Sequence, residues 1–314
     1  MLTPLLVVLP IFALILVGYA VRKAGLLGPH STTELNRFVV YLALPALLFD
    51  IVAHTSWDAF YQPRFIAVFG LSSLIVFLGT ALLRLRAPRH LADSTIDGLN
   101  AGYANTGFIG FPLCLVVFGQ GSLAPTAIAT LLTVCALFAV AIVMIEIGLQ
   151  TEARRSRLVL KVARSLATNP LVMAPVLGGL VAASGLALPE SIETFLKLLG
   201  GAASPCALVA LGLFLAQTTA STARDTPATL LFVVLKLVLQ PALALGLAVA
   251  FGLSSLLTHI AVVLAALPTG TGPFMLAEFY GREAGVTSKA ILLSTVASLV
   301  TLSGYLAWVA APPG

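Results

Sequence analysis

Two stretches decide the fold: Asn105-Thr106-Gly107-Phe108-Ile109-Gly110-Phe111-Pro112 and Pro268-Thr269-Gly270-Thr271-Gly272-Pro273. Each lies near the centre of an apolar run, one over 96–119 and the other over 258–281. Proline removes a backbone donor and glycine weakens a helix. Peptide groups freed in this way persist at membrane depth only where protein or a water-filled cavity satisfies them. Both stretches therefore predict broken helices, and breaks at this depth mark a site.

The rest of the chain supplies the membrane setting. Of its 314 residues 59% are hydrophobic and 9% charged, and the mean hydropathy is +1.06. A soluble protein is roughly half apolar and a quarter charged, and a globule this apolar would expose more hydrophobic surface than a monomer tolerates. A spanning helix needs about 20 mostly apolar residues. Ten such runs are predicted, over 3–21, 33–53, 65–84, 96–119, 125–148, 166–185, 193–216, 228–250, 258–281 and 289–310. The first run lacks a charged leader and is long for a signal peptide, so it is read as a helix. Cys114, Cys135 and Cys206 lie inside apolar runs without metal-ligand spacing, which excludes a disulfide framework or a zinc site. No phosphate-binding Gly-x-x-x-x-Gly-Lys-Ser/Thr loop occurs, which argues against ATP-driven transport by this chain alone. No cofactor is implied.

Charge sets the orientation. The net charge of +5 comes from short basic clusters between apolar runs with no aromatic interleaving, a membrane pattern rather than a nucleic-acid one. With ten spans, fourteen of the seventeen Lys and Arg residues fall on one side: Arg22, Lys23, Arg37, Arg84, Arg86, Arg89, Arg154, Arg155, Arg157, Lys161, Arg164, Arg224, Arg282 and Lys289. Arg64 and Lys197 fall on the other, and Lys236 lies within a span. Cytoplasmic loops carry the excess of positive charge. Both termini are then expected outside the cell, in a multi-pass protein of the inner membrane.

Five spans per half make the second half enter the membrane from the opposite side, so that 1–150 and 151–314 form an inverted repeat. Pro45 and Pro205 stand 160 residues apart, and Pro112 and Pro273 stand 161 apart. One broken helix is explained by a packing kink; two at matching repeat positions point to a site. The fourth span runs outward and the ninth inward, so the half-helices opened by Pro112 and Pro273 both begin near the midplane with their positive ends facing the centre. Helix N-termini favour anions. Asn105, Thr106, Thr269 and Thr271 would add side-chain hydrogen bonds, and the expected substrate is a small organic anion, a carboxylate.

Several ionisable or polar residues are further candidates. Lys236 lies about 12 Å into its span, where an amine is costly unless paired or wetted; it reads as an anion partner, a charge-compensating group or a structural ion pair. Gln240 lies one turn on. Asp50, Glu146 and Glu278 lie near span ends, as coupling groups or as hydrated or paired structural carboxylates. His30, His54, His90 and His259 fall at span ends or in loops and are assigned no ligand role. Ser31-Thr32-Thr33-Glu34 has the pattern of a capping box opening the second span.

With these residues in view, the chain resembles the auxin efflux carrier family, which includes plant auxin carriers and bacterial permeases for malate and malonate. The likeness runs through Asn36-Arg37-Phe38-Val39 and Leu44-Pro45, Asn105-Thr106 and Pro112, Asn169-Pro170, Ala207-Leu208 and Gly212, Ala266-Leu267-Pro268, Pro273-Phe274 and Tyr280. The resemblance implies two inverted five-helix repeats crossing at helices 4 and 9. It also implies a scaffold of helices 1, 2, 6 and 7, a moving domain of helices 3–5 and 8–10, an elevator-like cycle and, in plant members, a homodimer. The chain departs from the plant pattern in lacking a long hydrophilic loop between the fifth and sixth spans and in carrying Thr-Gly-Thr-Gly where plant carriers have bulkier residues. A short dicarboxylate such as malonate or malate is expected in place of auxin.

Two other functions fit parts of the pattern. A sodium-coupled symporter of the bile-acid type shares the crossed helices, but no acidic residue stands at either break to favour sodium. An intramembrane enzyme would need a nucleophile and base at depth, and no deep histidine accompanies the serines and threonines. Coupling to protons, sodium or the membrane potential stays open at this level.

Overall fold

The computed structural model describes residues 2–54, 61–86, 89–150, 160, 163–164, 167–217 and 226–310. These residues are helical, and the one strand-like feature among them is an isolated antiparallel bridge between Ala104 and Thr269. The helices are α1 (Leu2–Lys23), α2 (Ser31–Ala53), α3 (Pro63–Leu85), α4 (Leu91–Gly102), α5 (Phe111–Phe118) and α6 (Gln120–Leu149). They are followed by α7 (Pro170–Ser184), α8 (Glu190–Ala216), α9 (Thr226–Ala250), α10 (Ser255–Ala265), α11 (Gly272–Phe279) and α12 (Gly285–Ala310). Six of them, α2, α3, α6, α8, α9 and α12, are long and apolar enough to cross a membrane. Arg154, Arg155, Arg157, Lys161 and Arg224, on which part of the orientation argument rests, lie outside the described residues.

Proline placement explains much of the local geometry. Wide π-type turns at Val39–Ala43, Thr106–Gly110 and Leu235–Leu239 each stand just before a helical segment with proline at its first or second position: Pro45, Pro112 and Pro241. The proline ring clashes with the carbonyl of the preceding turn and cannot donate to it, and a widened turn relieves both problems. Asn169 starts α7 in the usual way, its side chain accepting from the Leu171 amide at 3.0 Å with Pro170 following. The capping box expected at Ser31 does not form. His30 holds the N-cap position, its carbonyl accepts from the Glu34 amide, and the Glu34 carboxylate turns to Arg37 at 3.3 Å.

Packing relies on close backbone approach. α1 lies along α8 and α7 along α2. At the first contact a Cβ on Gly18 would collide with the Val209 carbonyl, and one on Gly212 with that of Ile15; at the second, a Cβ on Gly178 would stand 2.6 Å from the Phe49 oxygen. Without a hydrophobic drive between helices in lipid, small residues that let backbones touch carry the association. On the other flank α3 packs on α4, and α6 and α9 close around them. At one end of this group Asp97, buried on α4, takes Arg84 and Arg89 at 2.8 Å each, and Arg282 donates to Asp93 from the segment after α11.

Candidate functional site

The two predicted breaks meet. Between α4 and α5, and again between α10 and α11, the chain leaves the helix and runs alongside its counterpart. The Asn105 amide donates to the Pro268 carbonyl at 2.9 Å, and the Gly270 amide donates to the Tyr103 carbonyl at 3.1 Å. Each break thus supplies peptide partners that the other has lost, which answers the need for internal satisfaction in a dry setting. Thr269 is fixed on both sides: its amide donates to Ser294 Oγ at 3.1 Å and its hydroxyl to the Asn100 carbonyl at 2.7 Å.

The helices that end at the crossing are capped from α9. Lys236 is fully buried, and its Nζ donates to the Ala265 carbonyl, at the end of α10, at 2.6 Å. Gln240, also fully buried, donates to the Gly102 carbonyl at the end of α4 at 3.3 Å and to Ser73 Oγ at 3.0 Å. A helix C-terminus carries about half a negative charge, so an N–H donor on its last carbonyl is electrostatically matched. Lys236 is therefore a helix cap rather than a lining residue.

The helices that begin at the crossing open on a cavity of about 290 Å³. Asn105, Thr106, Gly107, Gly270 and Thr271 line it from the breaks, together with Tyr103 and Ala104. Leu44, Leu47 and Ile51 of α2, Ala203 of α8, Val134 of α6 and Met275 of α11 form an apolar wall. The Thr106 hydroxyl is fully buried and has no hydrogen-bond partner among the described residues. Thr130 lines the cavity too, but its hydroxyl donates to the Thr126 carbonyl at 2.8 Å. Among the described lining residues none is charged. An anion here would be held by neutral donors and by helix N-termini.

Of the residues singled out in the sequence, the structure brings Asn105, Thr106 and Thr271 to the cavity. Thr269 is turned away into the hydrogen bonds above. Pro112 and Pro273 sit at the second positions of α5 and α11 and shape the breaks without lining the space. Asp50 lies near the end of α2 beside His54, whose other ring nitrogen faces Glu193 of α8 at 3.2 Å. Glu146 accepts a 2.8 Å hydrogen bond from the Tyr280 hydroxyl. Glu278 is partly buried near the end of α11, where its carbonyl accepts from the Gly281 amide at 3.2 Å. Tyr103 and Asp97 were not anticipated. The signal for Tyr103 lay in the other break, where two glycines leave room for its ring; for Asp97 it lay in the arginines that close α3.

A helical chain of this hydropathy, with two broken helices crossing at an internal cavity, is a multi-pass membrane transport protein. The comparisons give its family: a family model described as "Membrane transport protein" matches residues 5–306, and the chain belongs to the auxin efflux carrier family. It is 31% identical over 302 residues to a "Putative malonate transporter" of Rhizobium meliloti (strain 1021), covering 95% of this chain and 93% of that one. It is 23% identical to "Auxin efflux carrier component 8" of Arabidopsis thaliana, over 94% of each chain. An "Uncharacterized transporter" of Methanothermobacter thermautotrophicus is 27% identical over 94% of this chain and 95% of its own. The protein is thus a transporter and not an enzyme.

Proposed function

We propose that the protein is a secondary carrier of small organic anions, carboxylates of the size of malonate or malate, which bind in the cavity at the crossing. The observation that carries this reading is that the helical segment opening at Thr106 and running into α5, and α11, both begin at one cavity, beside the unpartnered Thr106 hydroxyl. The leading amides of a helix lack intrahelical partners, and together with the dipole they favour negative charge. Asn105, Thr106 and Thr271 add neutral donors. The relative of Rhizobium meliloti, named as a "Putative malonate transporter", makes malonate the first substrate to try.

The transport cycle is assigned to an elevator-like movement of two inverted five-helix repeats. Packing supports the repeat: α1 on α8 and α7 on α2 are the same pair of spans exchanged between halves, and the breaks fall in the fourth span of each. α1, α2, α7 and α8 would form the scaffold, and the remaining helices the moving part. The apolar wall from α2 and α8 would then be the surface along which the site slides. The excess of basic residues in alternate loops supports an orientation with both termini outside.

Counterflow in proteoliposomes against a panel of mono- and dicarboxylates, with pH and sodium varied, tests the reading and identifies the coupling ion. Exchange of radiolabelled malonate or malate against an unlabelled carboxylate is the expected result. A correctly folded protein that exchanges no carboxylate would overturn it.

A further inference from the structure

Tyr103 occupies an unusual position. It ends α4, is 5% exposed, and lines the cavity. A buried tyrosine hydroxyl needs a hydrogen-bond partner, because leaving it unpaired forfeits its hydration without return. The ring is held against the opposite break. A Cβ on Gly270 would stand 2.9 Å from Tyr103 Cε1, and one on Gly272 would stand 2.6 Å from Cζ and 2.8 Å from the hydroxyl oxygen. Phe138 backs the ring at 5.5 Å between centroids. Gly270 and Gly272 are therefore glycine for a reason of space: any side chain there would displace the phenol.

Gly272 is also the first residue of α11. The same contact that demands glycine thus sets the Tyr103 hydroxyl at the N-terminus of α11, in a residue that lines the cavity. Thr106, in the same lining, holds a buried hydroxyl with no hydrogen-bond partner among the described residues. We infer that Tyr103 Oη is a substrate contact, donating to a carboxylate oxygen of the carried anion as it lies over the glycine shelf of α11. The inference rests on the carboxylate reading above and deepens it, because it makes an aromatic hydroxyl and a glycine pair determinants of which carboxylates fit.

Tyr103→Phe removes one oxygen and keeps the ring on the shelf, so the variant should fold and melt as the wild type does. Its affinity for malonate or malate, read by counterflow and by titration of the purified protein, should fall about 10-fold or more, the loss expected for a hydrogen bond to a charged group. Gly272→Ala, which pushes the phenol off the shelf, should lose affinity in the Tyr103 protein and lose little more when added to Tyr103→Phe. Wild-type affinity in a well-folded Tyr103→Phe protein overturns the inference while leaving the carrier reading intact. A wild-type protein that binds no carboxylate removes the reading itself, and the inference with it.

Discussion

The two faces of the crossing are finished in opposite ways. Where helices end, at Gly102 and Ala265, side chains from α9 close the terminal carbonyls: Gln240 on one and Lys236 on the other. Where helices begin, at α5 and α11, the lining includes Tyr103 and the Thr106 hydroxyl, which is buried with no hydrogen-bond partner among the described residues. Buried polar groups are normally paired, so the difference separates structure from readiness to bind. The terminal carbonyls of Gly102 and Ala265, which would repel an anion, are closed, and the Thr106 donor is left free.

Removing the closure on the carbonyl face should have the largest effect. Lys236→Ala truncates a long, fully buried side chain and orphans the Ala265 carbonyl, and we expect a stability loss of about 3 kcal/mol. Thermal melting of the purified variant checks this, and transport should fall in step with folded protein. Loss of transport at unchanged melting temperature would instead give Lys236 a part in the cycle.

On the amide face the expected signature is reversed. Asn105→Leu keeps the prolines and removes a side-chain donor and acceptor, so malonate affinity should fall by about 10- to 150-fold, the equivalent of about 1.5–3 kcal/mol. Stability should change less, because the main-chain bond from Asn105 to Pro268 does not need the side chain. A drop in melting temperature that accounts for the whole binding loss would move Asn105 to the structural side.

Gln240→Leu sharpens the comparison within the carbonyl face. Leucine keeps most of the volume that alanine at 236 would lose, so the stability cost should be smaller than at Lys236, about 1–2 kcal/mol, with malonate affinity in the folded fraction preserved. Equal costs at both positions would mean that the lost volume at Lys236 adds nothing to the loss of its closure.

The smallest effect is expected away from the crossing. His54 Nδ1 lies 2.9 Å from the Asp50 carbonyl oxygen and 3.1 Å from its carboxylate, and Nε2 faces Glu193. Both ring nitrogens therefore meet acceptors, which suits the imidazolium. The hydrogen bond to the Asp50 backbone and then that to Glu193 raise the His54 pKa above its ordinary 6.5. A raised folded-state pKa gives stability that is complete below 6.5 and lost as pH climbs through the higher folded value. Because the ring is partly exposed, the contribution is about 0.5 kcal/mol. The melting gap between wild type and His54→Gln should be open at acidic pH and close under alkaline conditions, with malonate affinity unaffected. A gap independent of pH would remove the ionised ring from the account.

Much of this arrangement was legible in the sequence because it is carried by punctuation. Proline and glycine at 105–112 and 268–273 constrain the backbone wherever they occur, and hydropathy delimits the runs around them. What could not be read was which side chains turn toward the space between. Thr269 and Thr271 are alike in the sequence, but the first is consumed by Asn100, 169 residues away, and no local pattern reports that. Tyr103 looks like one more aromatic residue in an apolar run; only the glycines of the distant break reveal where its ring sits. Lys236 stood out by cost alone, and its partner, a main-chain oxygen, has no sequence signature. The missing capping box at Ser31 has a similar cause, since Glu34 had a competing partner in Arg37 one turn away.

The pairing of the two breaks is made entirely of main-chain atoms, Asn105 to Pro268 and Gly270 to Tyr103. Those four peptide groups are present whatever side chains the positions carry, provided the backbone can still reach. Exchanging the side chain of Asn105 or Thr271 alters what the cavity offers to its cargo without cutting either bond. If the cavity is the carrier site proposed above, single substitutions at these positions would change which cargo fits while the joint between the two breaks stays intact.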